Sequence, residues 1–130
     1  SLLPHTGSWG QATIAAAYAL NDPLLAADLT PATGDSQSQT VPAASFVAVE
    51  QPNIVIETVK QAEDGHGIIV RGYESQRRRG PATLRTGFAS GAAWRCNLLE
   101  EQTSALEVSD GAVHFNVRPY EIFTLRIVPA

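Results

Sequence analysis

The sequence predicts a mainly β protein: an antiparallel β-sandwich of about eight strands, preceded by a short N-terminal helix and a long connecting loop. Three observations carry that reading. Beyond Ser45 the apolar residues recur with a period of two, the mark of half-buried strands. Turn signals (Asp64-Gly65, Gly80-Pro81, Ser90-Gly91, Asp110-Gly111) separate these runs at short intervals. The chain has 130 residues, 44% hydrophobic and 17% charged, which is one domain's worth of chain with core enough to fold without disulfide staples.

The elements follow in order. Residues 11–21, QATIAAAYALN, are rich in strong helix formers. Ser8 and Gln11 have the spacing of a capping box. Ile14, Ala17 and Tyr18 are placed to share a face, with Leu20 near the end, and Asn21-Asp22-Pro23 stops the helix because proline cannot continue the ladder. From Leu24 to Ala44 the chain is small and polar, punctuated by Pro31, Gly34 and Pro42. It reads as an exposed connection, mobile around 34–39. Residues 1–44 thus form an N-terminal strand end, helix and polar linker, and residues 45–130 the β-sandwich.

The strands are expected in SFVAVE, NIVIETVK, GIIVRGYE, PATLRTGF, AAWRCNLLE, SALEVS, AVHFNVR and YEIFTLRIV. Ile54, Ile56 and Thr58 alternate with Val55, Glu57 and Val59. Ile68, Val70 and Gly72 oppose Ile69, Arg71 and Tyr73. Val113, Phe115 and Val117 oppose His114, Asn116 and Arg118. Asp-Gly pairs suit a two-residue type I′ turn, in which both central residues need positive φ.

Composition limits the function. A formal net charge of −4 argues against nucleic acid and anionic membranes, which call for a basic face. There is no run of about eighteen apolar residues to span a bilayer. The opening SLLPHTGSWG has no basic, apolar leader, and the chain has no methionine, so an excised piece of a longer protein is expected. Cys96 is alone, so no internal disulfide forms, which fits a reducing compartment and a cytoplasmic setting. In AAWRCNLLE it reads as a buried structural thiol rather than a nucleophile.

Candidate chemistry is sparse. Glu63, Asp64 and His66 stand together, but acid–base catalysis needs groups that converge on a concave pocket. Neighbours in a strand diverge, and an Asp64-Gly65 turn would set these residues on a convex, solvated tip. The turn is therefore favoured over surface recognition and catalysis. His5, His66 and His114 lack ligand spacing. Arg77, Arg78 and Arg79 read as a solvated loop, with an acidic neighbouring domain as the alternative partner. Trp9 and Trp94 read as core or interface anchors, with sugar stacking as the alternative. Ser8, Ser45 and Ser90 lie outside any nucleophile elbow.

Several ordered segments resemble a known family. They are Lys60, Glu63, Asp64, Gly65, Gly67, Val70, Arg71, Tyr73 and Glu74; then Arg79, Gly80, Ala82 and Leu84; then Asn97-Leu98-Leu99-Glu100. The last is Phe115, Val117, Pro119, Tyr120, Glu121, Ile122, Thr124, Leu125 and Ile127. Together with the opening Leu2-Leu3-Pro4-His5-Thr6-Gly7 and Trp9, they resemble the C-terminal β-sandwich region of family 38 α-mannosidases. The resemblance covers nearly the whole chain apart from 33–40.

It implies a parent enzyme that hydrolyses terminal α-mannosides with retention, through an aspartate nucleophile, a second carboxyl as acid and base, and zinc. Those groups belong to an N-terminal α/β barrel that this sequence lacks, so no catalytic, cofactor or metal residue is carried over. The implied partners are that barrel, the parent's other β domains and, through the parent, carbohydrate. Pro4, His5 and Trp9 are the candidates for interdomain contact, Trp94 and Tyr73 for sugar contact. An orphan edge at Leu2-Leu3 is a candidate homo-oligomer contact. The rival readings are an autonomous carbohydrate-binding module and an Ig-like interaction domain.

Overall fold

The computed structural model describes residues 2–26 and 44–130. The expected mobile stretch at 34–39 lies outside them. The chain divides into two units, Ser1–Ala44 and Ser45–Ala130.

In the first unit a single helix, α1, spans Gln11–Asn21, where the sequence places it. Its cap is different from the expected one. Gly10 is the N-cap in an extended conformation, and its N–H donates to Thr13 Oγ1 at 3.4 Å. Ser8 lies two residues too early to reach the first turn. At the other end Asp22 N–H closes on Tyr18 O at 2.7 Å, and Asn21 Nδ2 donates to Ala17 O at 2.8 Å. Ile14 and Tyr18 are half-buried, whereas Ala17 and Leu20 are exposed. The strand end expected at Leu2–His5 has no strand pairing, and these residues are exposed.

The second unit contains the eight strands: β1 (Val47–Val49), β2 (Ile54–Gln61), β3 (Ile68–Glu74), β4 (Gly80–Thr86), β5 (Ser90–Cys96), β6 (Gln102–Ser109), β7 (Ala112–Val117) and β8 (Ile122–Pro129). They run in the spatial order β1-β4-β7-β6-β5-β8-β3-β2, every pair antiparallel. The ladder is continuous but bends at β6. The first part of β6 pairs with β5, as in Ala93↔Leu106, and its last residues pair with β7, as in Val108↔Val113. Two layers result, β1-β4-β7 facing β5-β8-β3-β2, and their inner faces meet in one apolar core. Leu84, Val113 and Phe115 enter from one side; Val70, Phe123, Leu125 and Ile127 from the other. The Phe115 and Phe123 rings bridge the layers with centroids 5.0 Å apart.

Alternation holds in β3 and β7 and is broken in β2. A bulge between Ile56 and Thr58 makes Glu57 the extra residue. Ile54 and Ile56 pair with the inner row of β3, but Thr58 pairs with outward Arg71 rather than sharing their face. One added residue reverses the facing of all that follow. Val59 consequently pairs with inward Val70, and Lys60 with outward Ile69.

The turns also divide. Asp110 and Gly111 have φ of +52° and +70° and join Ser109 to Ala112, the expected two-residue turn. Asp64-Gly65 is not such a turn. Six residues, 62–67, separate the paired ends Gln61 and Ile68, and positive φ falls on Gly65 and Gly67 but not on Asp64. Gly72 is required for space: a Cβ there would stand 2.4 Å from Val55 O and 2.8 Å from the Phe123 ring. Phe123, its partner on β8, lies over the gap that the glycine leaves.

Candidate functional site

The outer face of the β3-β8-β5 layer carries the polar residues that the sequence singled out. Pairing sets them in rows. Lys60, Ile69, Arg126, Trp94 and Ala105 form one row; Thr58, Arg71, Thr124 and Cys96 form the next; Val55, Tyr73 and Ile122 form the third. Two loops fold over the first row, the 62–67 connection and the Asn97–Glu101 connection. Ile69, although it points away from the core, is therefore fully buried.

Polar groups hold these loops down. Arg126, only 7% exposed, donates from Nη1 to Asp64 Oδ2 at 2.6 Å and from Nη2 to Glu100 O at 3.1 Å. Glu100 is 6% exposed; its carboxylate accepts the Glu63 N–H at 2.9 Å and pairs with Lys60 Nζ at 2.8 Å. Lys60 also pairs with Glu63, and the His66 N–H donates to Asp64 Oδ1 at 2.9 Å. The Asn97 side chain closes its own loop, accepting from Leu99 N–H and Glu101 N–H. Arg71 links the second row to it, with Nε on Thr124 Oγ1 and Nη2 on Leu98 O, both at 3.1 Å. Arg126 Nε is the one buried side-chain nitrogen or oxygen among the described residues that lacks a hydrogen-bond partner.

A second polar knot ties the end of the sandwich. Glu74, fully buried, accepts from Asn53 Nδ2 at 2.9 Å, Gln76 N–H at 2.8 Å and Tyr120 N–H at 3.0 Å. Nearby, Arg95 points inward from β5. Its guanidinium lies 5.9 Å from the Phe115 ring centroid, pairs with Glu121 Oε1 at 2.6 Å and donates to Asn116 O. Arg95 thus closes the open end of the core with its stem buried and its head bonded.

The electrostatics show what this arrangement can do. A retaining glycosidase needs one carboxyl held protonated, with a raised pKa, and one ionised. The carboxyls with a definite shift here all move the other way. The Arg126 hydrogen bond, then the His66 N–H, lowers Asp64. The Lys60 hydrogen bond, then the Glu63 N–H, lowers Glu100. Burial drives Glu74 upward, but the donors from Tyr120, Asn53, Gln76 and Arg78 outweigh it and hold the group at about 2. All three are ionised acceptors at neutral pH and act as fasteners for loops rather than as proton donors. Burial pushes the Cys96 thiol up, away from the reactive thiolate.

The sequence candidates disperse on the structure. Glu63 and Asp64 line an open cleft of about 400 Å³ with Leu99, Glu100, Glu101, Gln102 and Arg126. His66 is exposed, and His114 Nδ1 lies 3.4 Å from Thr83 Oγ1 on the other layer. Among the described residues no three His, Cys, Asp or Glu side chains converge as a metal site. Arg77, Arg78 and Arg79 are exposed. Trp94 and Tyr73 share the outer face but stand in different rows, each half-buried. A second cleft, about 540 Å³, is lined instead by Phe46, Val59, Lys60, Gln61, Gly65, Gly67, Ile68 and Pro129. Pro4, His5 and Trp9 are exposed within the first unit. Alternation alone misses Arg126, because an outward residue on a strand reads as solvated until a loop covers it, and it misses Glu100, which AAWRCNLLE puts on a strand but which lies in the loop after β5.

Comparison with known proteins bears on the same residues. Residues 53–125 match the family described as "Glycosyl hydrolases family 38 C-terminal beta sandwich domain". The chain is 36% identical over 134 aligned residues to "Alpha-mannosidase 2C1" of Mus musculus and 35% identical to the protein of that name in Homo sapiens. It is 31% identical to "Alpha-mannosidase G" of Dictyostelium discoideum. Each alignment takes in 98% of this chain but 12% of the relative, so the chain spans about one eighth of the length of these curated relatives. With eight antiparallel strands closing on one core, and with Glu74, Glu100 and Arg126 at the junctions of its loops, the chain belongs to the family 38 C-terminal β-sandwich domains.

Proposed function

We propose that this chain is an accessory, non-catalytic domain of a retaining α-mannosidase. It supports a catalytic α/β barrel that lies elsewhere in the parent polypeptide and acts on terminal α-mannosides. One observation carries the reading: the motif carboxylates of Glu74, Glu100 and Asp64 are depressed in pKa and committed to tying loops together. None is held as the protonated acid that glycoside hydrolysis needs. Family membership and the alignment with named α-mannosidases support the parent activity proposed here. Zinc belongs, in this proposal, to the parent's catalytic domain.

The test compares two proteins with an aryl α-mannoside. The 130-residue chain should give no turnover with or without added zinc, and the complete polypeptide that contains it should be active. Deleting residues 45–130 from the complete polypeptide should lower both its stability and its activity. Turnover by the purified 130-residue chain, abolished by a substitution within it, would overturn the proposal.

A further inference from the structure

The Asn97–Glu101 loop is held in place by many hydrogen bonds, yet its two apolar side chains face water. Leu98 is 65% and Leu99 79% exposed. The loop backbone closes on itself through Asn97 N–H to Glu101 O at 3.0 Å and Glu100 N–H to Asn97 O at 3.1 Å. Arg71 and Arg126 grip the carbonyls of Leu98 and Glu100 from the sheet. Glu100 adopts φ +67°, a conformation that a residue with a Cβ takes at a cost of about 1 kcal/mol. The two leucines thus stand side by side in sequence on a loop that the sheet holds in place.

We infer that Leu98 and Leu99 form a docking surface for another segment of the same α-mannosidase polypeptide, an apolar anchor flanked by a lysine or arginine. Two observations select that occupant. Most of each named relative's length lies outside the part matched by this chain, so the parent has ample chain to seat there. Leu99 also lines the cleft formed with Glu63, Asp64, Glu100, Glu101, Gln102 and Arg126, where four carboxylates and one guanidinium make up the charged lining. The surplus negative charge favours a basic flank on the incoming segment. The inference rests on the accessory-domain reading given above.

Thiol labelling tests it. Leu99→Cys in a Cys96→Ala background is treated with a maleimide, and the peptide carrying position 99 is followed by mass spectrometry. Labelling should be fast in the 130-residue chain and slower by about tenfold or more in the complete polypeptide, where it waits on opening of the contact. Leu98→Cys, on the same exposed loop, provides a second reporter. Equal rates in the two proteins would overturn the inference. So would protection of the 130-residue chain that rises with its concentration, since a second copy would then be the occupant. If the complete polypeptide is active on α-mannosides but unprotected, docking alone fails; if it is protected but inactive, the functional reading fails and docking stands.

Discussion

Tyr120 donates its backbone N–H to the buried carboxylate of Glu74 at 3.0 Å, across 46 residues of chain. The bond joins the last residue of β3 to the turn before β8, and Tyr120 holds φ +58° to make it. It connects two of the segments by which the sequence resembles its family, Tyr73-Glu74 and Pro119-Tyr120-Glu121-Ile122. Both segments thus meet at one carboxylate that takes donors from three loops: the Asn53 side-chain amide and the backbone N–H groups of Gln76 and Tyr120.

Acid stability should report this bond. The folded-state pKa of Glu74, about 2, lies below its ordinary value of 4.5. A depressed carboxyl stabilises the fold fully above the ordinary value, and that contribution is lost as pH falls from about 4.5 towards 2. Glu74→Gln keeps the size of the side chain but removes the charge, so it should cost about 2–3 kcal/mol at pH 7. Its acid limb in urea denaturation should also be shallower than that of the parent sequence. Asp64 and Glu100, both lowered, supply the rest of the limb. An unchanged limb in Glu74→Gln would show that the carboxylate is not ionised in the fold.

Glu63 and Glu100 should separate sharply although both pair with Lys60. Glu63 is 81% exposed and Glu100 6% exposed. Glu63→Ala should change stability by less than about 0.5 kcal/mol, as solvated pairs do, and should leave turnover of the complete enzyme nearly intact. Glu100→Ala takes from Lys60 its buried partner, leaving it Glu63 alone, and leaves the Glu63 N–H without its acceptor, so it should be the clearly more destabilising of the two, by about 1–3 kcal/mol. Thermal melts and aryl mannoside kinetics measure both; a loss of turnover in Glu63→Ala at unchanged stability would assign that carboxylate to the chemistry.

Two glycines should fail for different reasons. Gly72→Ala forces a Cβ against Val55 O and the Phe123 ring and should cost about 1–3 kcal/mol through overpacking. Gly111→Ala meets no atom within 4 Å, but it asks alanine for φ +70° and should cost about 1 kcal/mol. Trimming Phe123 to Leu in the Gly72→Ala background should recover part of the first loss and none of the second. Equilibrium denaturation of the single and double variants checks this.

Sugar binding by the isolated chain is expected to be absent. Trp94 and Tyr73 are half-buried in separate rows, and the two clefts described above are lined by other residues. Titration calorimetry with mannose and manno-oligosaccharides should give no binding heat at millimolar sugar. A saturable signal that disappears in Trp94→Ala would instead make this a carbohydrate-binding module.

The period-two pattern was enough to place all eight strands, because inward and outward residues differ in chemistry at most steps, whereas the turn signals Gly80-Pro81 and Ser90-Gly91 fall on the first residues of β4 and β5. It failed where one residue breaks the count. Nothing in NIVIETVK marks Glu57 as an extra residue, so Thr58 was expected on the wrong face. The same local reading put Asp64 on a free tip, since a turn pair shows where the chain reverses but not what it folds onto. Asp64 is bonded to Arg126, 62 residues away, and that distance leaves no periodic trace. Glu74, Glu100 and Glu121 stand in segments that resemble the family, and each is bonded to residues distant in sequence, Asn53, Lys60 and Arg95 among them.

The strand β6 gives its first half to one layer and its last three residues to the other. A strand shared in this way leaves no cleavage plane between the layers. Neither can peel away while the other stays folded, because Leu106 and Val108, on opposite sides of the bend, both pack against the one core. The domain is therefore expected to unfold as a single cooperative block. Under thermal or mechanical load it is then expected to keep its shape until it gives way as a whole.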